Sequence, residues 1–189
     1  MLKASPFVKE IIDKWIKDEE LKRLLITHSR CVAEKALKVA DDAGLGDEAD
    51  RQFIFDAAML HDIGVVECDA PGIHCFGTRP YICHGLAGAD ILKREGIGEA
   101  YQRVCERHTG SGISKRQIEE LRLPLPPKDY LPETIEEKLI CYADKFYSKS
   151  STPEKEKSLE RVRASMERHG KEALERFEAL HRTFYPEPT

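Results

Sequence analysis

The chain reads as an all-α protein, and three features predict it. Apolar residues recur at three- and four-residue spacing through most of its length, strand-like alternation is nearly absent, and Gly and Pro gather at a few breakpoints. The expected architecture is a compact helical bundle with a C-terminal helical extension. Residues 1–150 form the domain with its N-terminal helix. Residues 151–189 form a charged helical segment that packs on the same domain. The 189 residues, 41% hydrophobic and 34% charged, suit one ordinary domain with a real core.

The first helix places Phe7, Ile11, Ile12 and Trp15 on one side. Asp18, Glu19 and Glu20 suit the positive N-terminal end of a second helix. Its apolar stripe runs through Leu21, Leu25, His28, Val32, Ala36 and Val39, so His28 lies in the stripe rather than opposite it. Gly44 and Gly46 stop it. A third helix is expected from Asp47 and Glu48 through Phe53, Ala57 and Leu60 to His61-Asp62-Ile63-Gly64. Residues 65–82 hold Pro71, Gly72, Gly77 and Pro80 and read as a long loop, a length often tied to function. Helical pattern returns over 83–95, 98–108 and 114–121. Four prolines exclude a helix from 123–132. Residues 134–150 read as a strong helix containing Asp144, and 153–184 as charged helix interrupted at His169-Gly170.

Net charge is −4 and the pI about 6.0, which argues against a partner that is a nucleic-acid polymer. A local basic pocket is still allowed. No apolar stretch approaches the roughly 20 residues of a membrane span, and the N-terminus lacks a secretory core, so a cytoplasmic protein without membrane association is expected. The six cysteines are scattered without a CxxC pair and read as free thiols; a local disulfide or thiol ligand among Cys68, Cys75 and Cys83 is the lesser alternative. Nucleophile-elbow, phosphate-loop and dinucleotide signatures are missing.

The residues that carry chemistry are His61 and Asp62, at the end of an apolar helix where Gly64 turns the chain away. Neighbouring helical side chains point about 100° apart, yet both can converge on an ion beyond the helix end. Imidazole and carboxylate together suit iron, manganese, cobalt or nickel. Asp144 lies in the apolar run from Ile140 to Phe146, where a carboxylate requires a cation, a metal or several donors. Three helices each offering a polar group to a hydrophobic interior is how bundles build metal sites.

The order His28, His61-Asp62, Asp144 resembles the H…HD…D signature of the HD superfamily of metal-dependent phosphohydrolases, and His-Asp-Ile-Gly resembles its HDIG variant. The resemblance spans roughly residues 21–150. It implies an all-α fold with His28, His61, Asp62 and Asp144 bound to a divalent metal, whether Fe, Mn, Co, Ni or Mg. It further implies that His84 and His108 bind a second ion, with Asp62 bridging the pair and acting as the catalytic carboxylate. Such a pair would hold a water and clamp the oxygens of a phosphoryl displacement.

Lys145, Arg107 and Arg79 are the candidate phosphate-binding cations, with Lys145 first among them. Glu67 is a candidate base or supporting group. His74, His169 and His181 read as ordinary loop and helix residues. Many HDIG relatives carry Lys where this chain has Val65, and a Gly-Tyr-Pro signature is missing, so no cyclic-nucleotide or signalling-diester activity is carried over. The resemblance implies hydrolysis of a phosphate ester or anhydride in a small phosphorylated substrate. A nucleotide leads, either a 5′-nucleotide or a dinucleoside polyphosphate. The alternatives are a di-iron oxygenase on the same fold and a silent ligand-sensing module. A homodimer is open, and the C-terminal helices could cap the bundle, cover the pocket or mediate it.

Overall fold

A computed structural model describes residues 2–186; residue 1 and residues 187–189, which close the expected extension, lie outside it. Nine α-helices carry the described residues: α1 Pro6–Trp15, α2 Glu19–Asp42, α3 Arg51–Leu60, α4 His84–Arg94, α5 Glu99–Arg107, α6 Lys115–Leu121, α7 Ile135–Asp144, α8 Leu159–Arg168 and α9 Lys171–Phe184.

Side-chain caps set several of the starts. Asp18 accepts from the Leu21 amide at 2.8 Å, and Asp50 from the Phe53 amide at 2.9 Å. The Asp50 cap is why α3 begins at Arg51 rather than at the acidic pair before it. Ser114 and Gln117 form a reciprocal capping box at α6.

Two expectations need correction. The segment 65–82 is not bare loop. It carries short 3-10 turns at Ile63–Glu67, Pro71–Ile73 and Tyr81–Cys83, and a two-residue antiparallel ribbon that pairs β1 (Asp69–Ala70) with β2 (Cys75–Phe76). The helix read over 134–150 ends at Asp144. Beyond it the amides of Lys145, Phe146 and Tyr147 bond three residues back instead of four. Lys157 then captures the freed carbonyls, its amide donating to Phe146 and its ammonium to Tyr147 at 3.0 Å. The chain therefore peels away from the helix axis directly after Asp144.

The core lies where α2, α3 and α7 meet, with Val32, Ala36, Ile54, Ala58, Leu139 and Ile140 all fully buried. On the far side of α7, Tyr142 stacks on Phe177 of α9 at 5.3 Å and bonds to His181 Nδ1 at 2.8 Å. Burial of Phe177, Leu180 and Phe184 fixes the C-terminal helices against the bundle. Among the described residues no helix is long and apolar enough to cross a membrane, and all six cysteines are free thiols.

Candidate metal centre

Five of the six sequence-predicted donors sit at helix ends. His61 and Asp62 follow the last residue of α3, His84 opens α4, His108 follows α5, and Asp144 closes α7. His28 alone lies mid-helix, on the buried face of α2.

The helix ends do more than place the imidazoles. His61 Nδ1 donates to the Ala58 carbonyl at 2.6 Å, and His108 Nδ1 to the Cys105 carbonyl at 2.8 Å. Both acceptors lie three residues back, among the carbonyls a helix terminus leaves free. His84 Nδ1 donates to the Tyr81 carbonyl at 2.8 Å in the same way, in the 3-10 turn before α4. A carbonyl can only accept, so each bond fixes the proton on Nδ1 and leaves the Nε2 lone pair facing inward.

The six side chains converge on two donor groups that share Asp62. Asp62 Oδ2 lies 3.3 Å from His28 Nε2 and 3.1 Å from His61 Nε2, while Asp144 Oδ1 lies 3.1 Å and 3.4 Å from the same two atoms. Asp62 Oδ1 faces the other way, 3.5 Å from His84 Nε2 and 3.2 Å from His108 Nε2. One carboxylate thus presents one oxygen to each group.

These atoms fit metal ions. His84 Nε2 and His108 Nε2 face each other at 3.0 Å with both protons committed elsewhere, which sets lone pair against lone pair. His61 Nε2 and Asp62 Oδ1 are buried without a hydrogen-bond donor, and Asp62 Oδ2 has the Lys149 ammonium beside it at 2.6 Å. Acceptors crowded in this way, away from water, are stable around a cation. Donors held about 2.0–2.2 Å from one ion stand roughly 3.0–3.5 Å apart, the spacing seen in both groups.

The charges follow from the same geometry. Burial disfavours an imidazolium at His61, but Asp62 and Asp144 outweigh it and push this group up to about 9. His84 is pushed down to about 3 by burial and by its neighbour His108, and burial lowers His108 too. Without metal, His61 therefore holds a proton at neutral pH, and a metal ion must displace it. Affinity in the His28–His61 half should fall as pH falls below about 9, by about tenfold per unit between pH 8 and 6. In the other half His84 is already neutral and burial holds His108 below its ordinary value, so affinity there should fall less over that range. Calorimetric metal titration at pH 6, 7 and 8 checks this, and two equally flat profiles would contradict it.

Of the three candidate cations, the structure brings only Lys145 to the centre. Its ammonium lies 2.6 Å from Asp144 Oδ2 and donates to the His108 carbonyl at 2.9 Å. Arg107 is drawn instead to Glu137 of α7 at 2.9 Å and to Glu133, and does not line the cavity. Arg79 turns outward to Glu67 and Asp90. Glu67 is occupied by Arg79 and Arg94, away from the donors, and His74 is exposed on the loop.

Glu137 has a structural role of its own. It is buried, accepts from Arg103, Arg107 and the Glu133 amide, and ties α5, which ends at His108, to α7, which ends at Asp144. Glu137→Ala should cost about 2–3 kcal/mol, since both arginines keep partial access to water and an outer partner. Thermal unfolding would show this as a lowered midpoint.

Sequence reasoning missed Lys149, whose ammonium lies 2.6 Å from Asp62 Oδ2. It also missed Tyr81, stacked on the His84 ring at 4.8 Å, and Arg176 of α9. His169, read as an ordinary helix residue, lines the cavity mouth. The cavity above the donors has a volume of about 420 Å³, with Lys145 and Lys149 on its floor and Ile82, Ile113, Leu121 and Leu123 on its wall.

The HD domain family profile matches residues 25–149. Two curated relatives are each named tRNA (cytidine(56)-2′-O)-methyltransferase. The one from Picrophilus torridus is 38% identical over 133 residues, covering 70% of this chain and 34% of its own length. The one from Thermoplasma volcanium is 35% identical over 159 residues, covering 84% and 41%. The chain thus spans well under half the length of either. An uncharacterized protein of Methanocaldococcus jannaschii is 38% identical over 121 residues, 64% of each chain. Among solved structures, the HD domain of the L. monocytogenes phosphodiesterase PgpH in complex with cyclic-di-AMP superimposes with a TM-score of 0.54 at 17% identity, over 95% of this chain and 93% of that one. The same domain in a second crystal structure gives the same TM-score and identity. At that identity the likeness shows the fold.

Proposed function

The chain belongs to the HD domain family, and we propose that it is a metal-dependent phosphohydrolase acting on a phosphate ester or anhydride, with a nucleotide as the leading substrate class. The observation that carries this reading is the shared carboxylate: Asp62 offers one oxygen to His28 and His61 and the other to His84 and His108, beneath a cavity floored by two lysines. His28, His61 and Asp144 would hold one divalent ion, His84 and His108 a second, and Asp62 both. Bound there, the ions would supply a water of lowered pKa and polarise a phosphoryl oxygen.

The chain's own residues account for the rest. Lys145 and Lys149 bring two ammonium groups to the cavity floor, where the phosphoryl oxygens of a bound substrate would lie. Burial opposes the charge of Lys149, but Asp62 and Asp144 hold it protonated above its ordinary value. The apolar wall excludes water on one side and offers a surface to a nucleobase, with Gln117 as a polar contact at its edge. Methyl transfer, for which the two archaeal relatives are named, is not carried over: the match covers 34% and 41% of those chains, and imidazole and carboxylate donors serve a hydrolytic water.

The test is a screen of manganese-loaded protein against nucleoside monophosphates, dinucleoside polyphosphates and generic phosphodiesters, with Asp62→Ala as control. Hydrolysis that requires both metal and Asp62 supports the reading, whether it is seen as orthophosphate from the monophosphates, nucleotides from the dinucleoside polyphosphates or released alcohol from the diesters. No such product from any substrate sinks it, and oxygen uptake by an iron-loaded sample would move the assignment to a di-iron oxygenase.

A further inference from the structure

The cavity over the donors is one lobe of a longer depression. A second cavity of about 520 Å³ shares Lys145, Lys149, Tyr81 and His169 with it and extends to Lys157 and Ser165. A third, of about 550 Å³, continues past Lys157 to Lys155, Arg161 and Arg168. The metal centre thus lies at a waist, with an apolar lobe on one side and a basic groove on the other.

The basic groove is unexpected in a chain of net charge −4. Among the described residues, Lys155, Lys157, Arg161 and Arg168 have no carboxylate within 4.0 Å. The contrast within α8 is direct: Arg163, on another face of the same helix, is held by Glu178 at 2.6 Å. Glu156, the sole carboxylate lining the third cavity, is taken by Lys35 at 2.7 Å and by the Tyr147 hydroxyl. Arg161 and Arg168 stand seven residues apart on α8, about 10 Å along its axis, room for several anionic groups in a row. Ser148, Ser150, Thr152 and Ser165 add hydroxyl donors between the cations.

We infer that this groove binds further phosphates of the substrate, so that the preferred substrate is a nucleotide carrying a chain of phosphates beyond the scissile one. The substrate's fate rests on the hydrolase reading above; its binding does not. The phosphates can be linked as anhydrides, as in a nucleoside polyphosphate, or as diesters, as in a short oligonucleotide.

The experiment compares adenosine monophosphate, adenosine 5′-tetraphosphate and a 5′-phosphorylated triadenylate on manganese-loaded wild type and on the double variant Arg161→Ala/Arg168→Ala. Both arginines are exposed and outside the metal centre, so turnover of the monophosphate should be unchanged. The wild type should show a KM at least about tenfold lower for one of the extended substrates, and the variant should lose that advantage. Raising the salt concentration should weaken the extended substrate more than the monophosphate. Which extended substrate gains identifies the linkage. In parallel, binding of inorganic tripolyphosphate is measured calorimetrically without turnover. Tighter binding to wild type than to the variant supports the groove even if no nucleotide is hydrolysed, in which case only the hydrolase reading falls. Equal tripolyphosphate binding, or turnover with no preference for extended substrates, overturns the groove proposal.

Discussion

Alanine in place of Asp62 is expected to empty both halves of the metal centre at once, whereas alanine in place of His84 should empty only one. The reason lies in the two oxygens: Oδ2 faces His28 and His61, and Oδ1 faces His84 and His108. Elemental analysis after dialysis should give about two ions per chain for wild type, about one for His84→Ala and close to none for Asp62→Ala. Metal-dependent turnover in Asp62→Ala should fall by more than about a hundredfold, the upper end of what losing an outer-shell partner costs a metal site. Circular dichroism separates this from unfolding. Lys149 loses its nearest carboxylate in the variant but keeps Asp144 as a neighbouring charge. Full metal content in Asp62→Ala would remove the shared carboxylate from the account, and with it the proposed chemistry.

How far this centre was legible in the sequence depends on how local each cause is. His28 was visible because one imidazole interrupts an apolar stripe, and Asp144 because one carboxylate sits in an apolar run. Their burial is a property of the helix face and needs no knowledge of the partner. The imidazoles at 61, 84 and 108 were visible as residues at the edges of helical pattern, and the structure supplies the reason for that position: each takes a carbonyl three residues back.

The places of Arg107 and Arg79 were not legible, for the opposite reason. A surface arginine turns to whichever carboxylate folding brings near. Arg107 met Glu137 and Arg79 met Asp90, pairings that depend on how α5 packs on α7 and how the loop folds over α4. Lys149 was missed because residues 134–150 read as one helix. Only when α7 stops at Asp144 and Lys157 draws the chain aside does a lysine five residues further on return to Asp62.

Gly64 illustrates the same limit and leads to the second large expected effect. The sequence suggests a residue that turns the chain away after the His-Asp pair. In the structure Gly64 lies within a 3-10 turn and has no left-handed backbone; its smallness is used for contact. A Cβ built there would run into the carbonyl oxygen of His84 and the amide nitrogen of Gly88, both backbone atoms of α4. Gly85 repeats the device one layer on, where a Cβ would come within 2.6 Å of the Cys105 carbonyl of α5. The glycines therefore let the turn bearing Asp62, the helix opened by His84 and the helix followed by His108 lie against one another. That approach brings the two Nε2 atoms to 3.0 Å.

Gly64→Ala forces α4 outward, since backbone atoms of a packed helix cannot rotate away as a side-chain tip can. The cost should be at least about 3 kcal/mol, at the top of the usual range for overpacking. At about 2–4 °C per kcal/mol for a chain of this size, the unfolding midpoint should fall by roughly 6–12 °C or more. The displacement acts on His84, so the His84–His108 half should lose its ion before the His28–His61 half does. Gly72→Ala is the control: a Cβ there meets nothing within 4 Å, and its stability should change by less than about 0.5 kcal/mol. Thermal unfolding and metal content measured on both variants decide the matter. A Gly64→Ala protein as stable and as fully metallated as Gly72→Ala would mean that α4 yields without cost. The close approach of the three backbones would then have no part in holding the second set of donors.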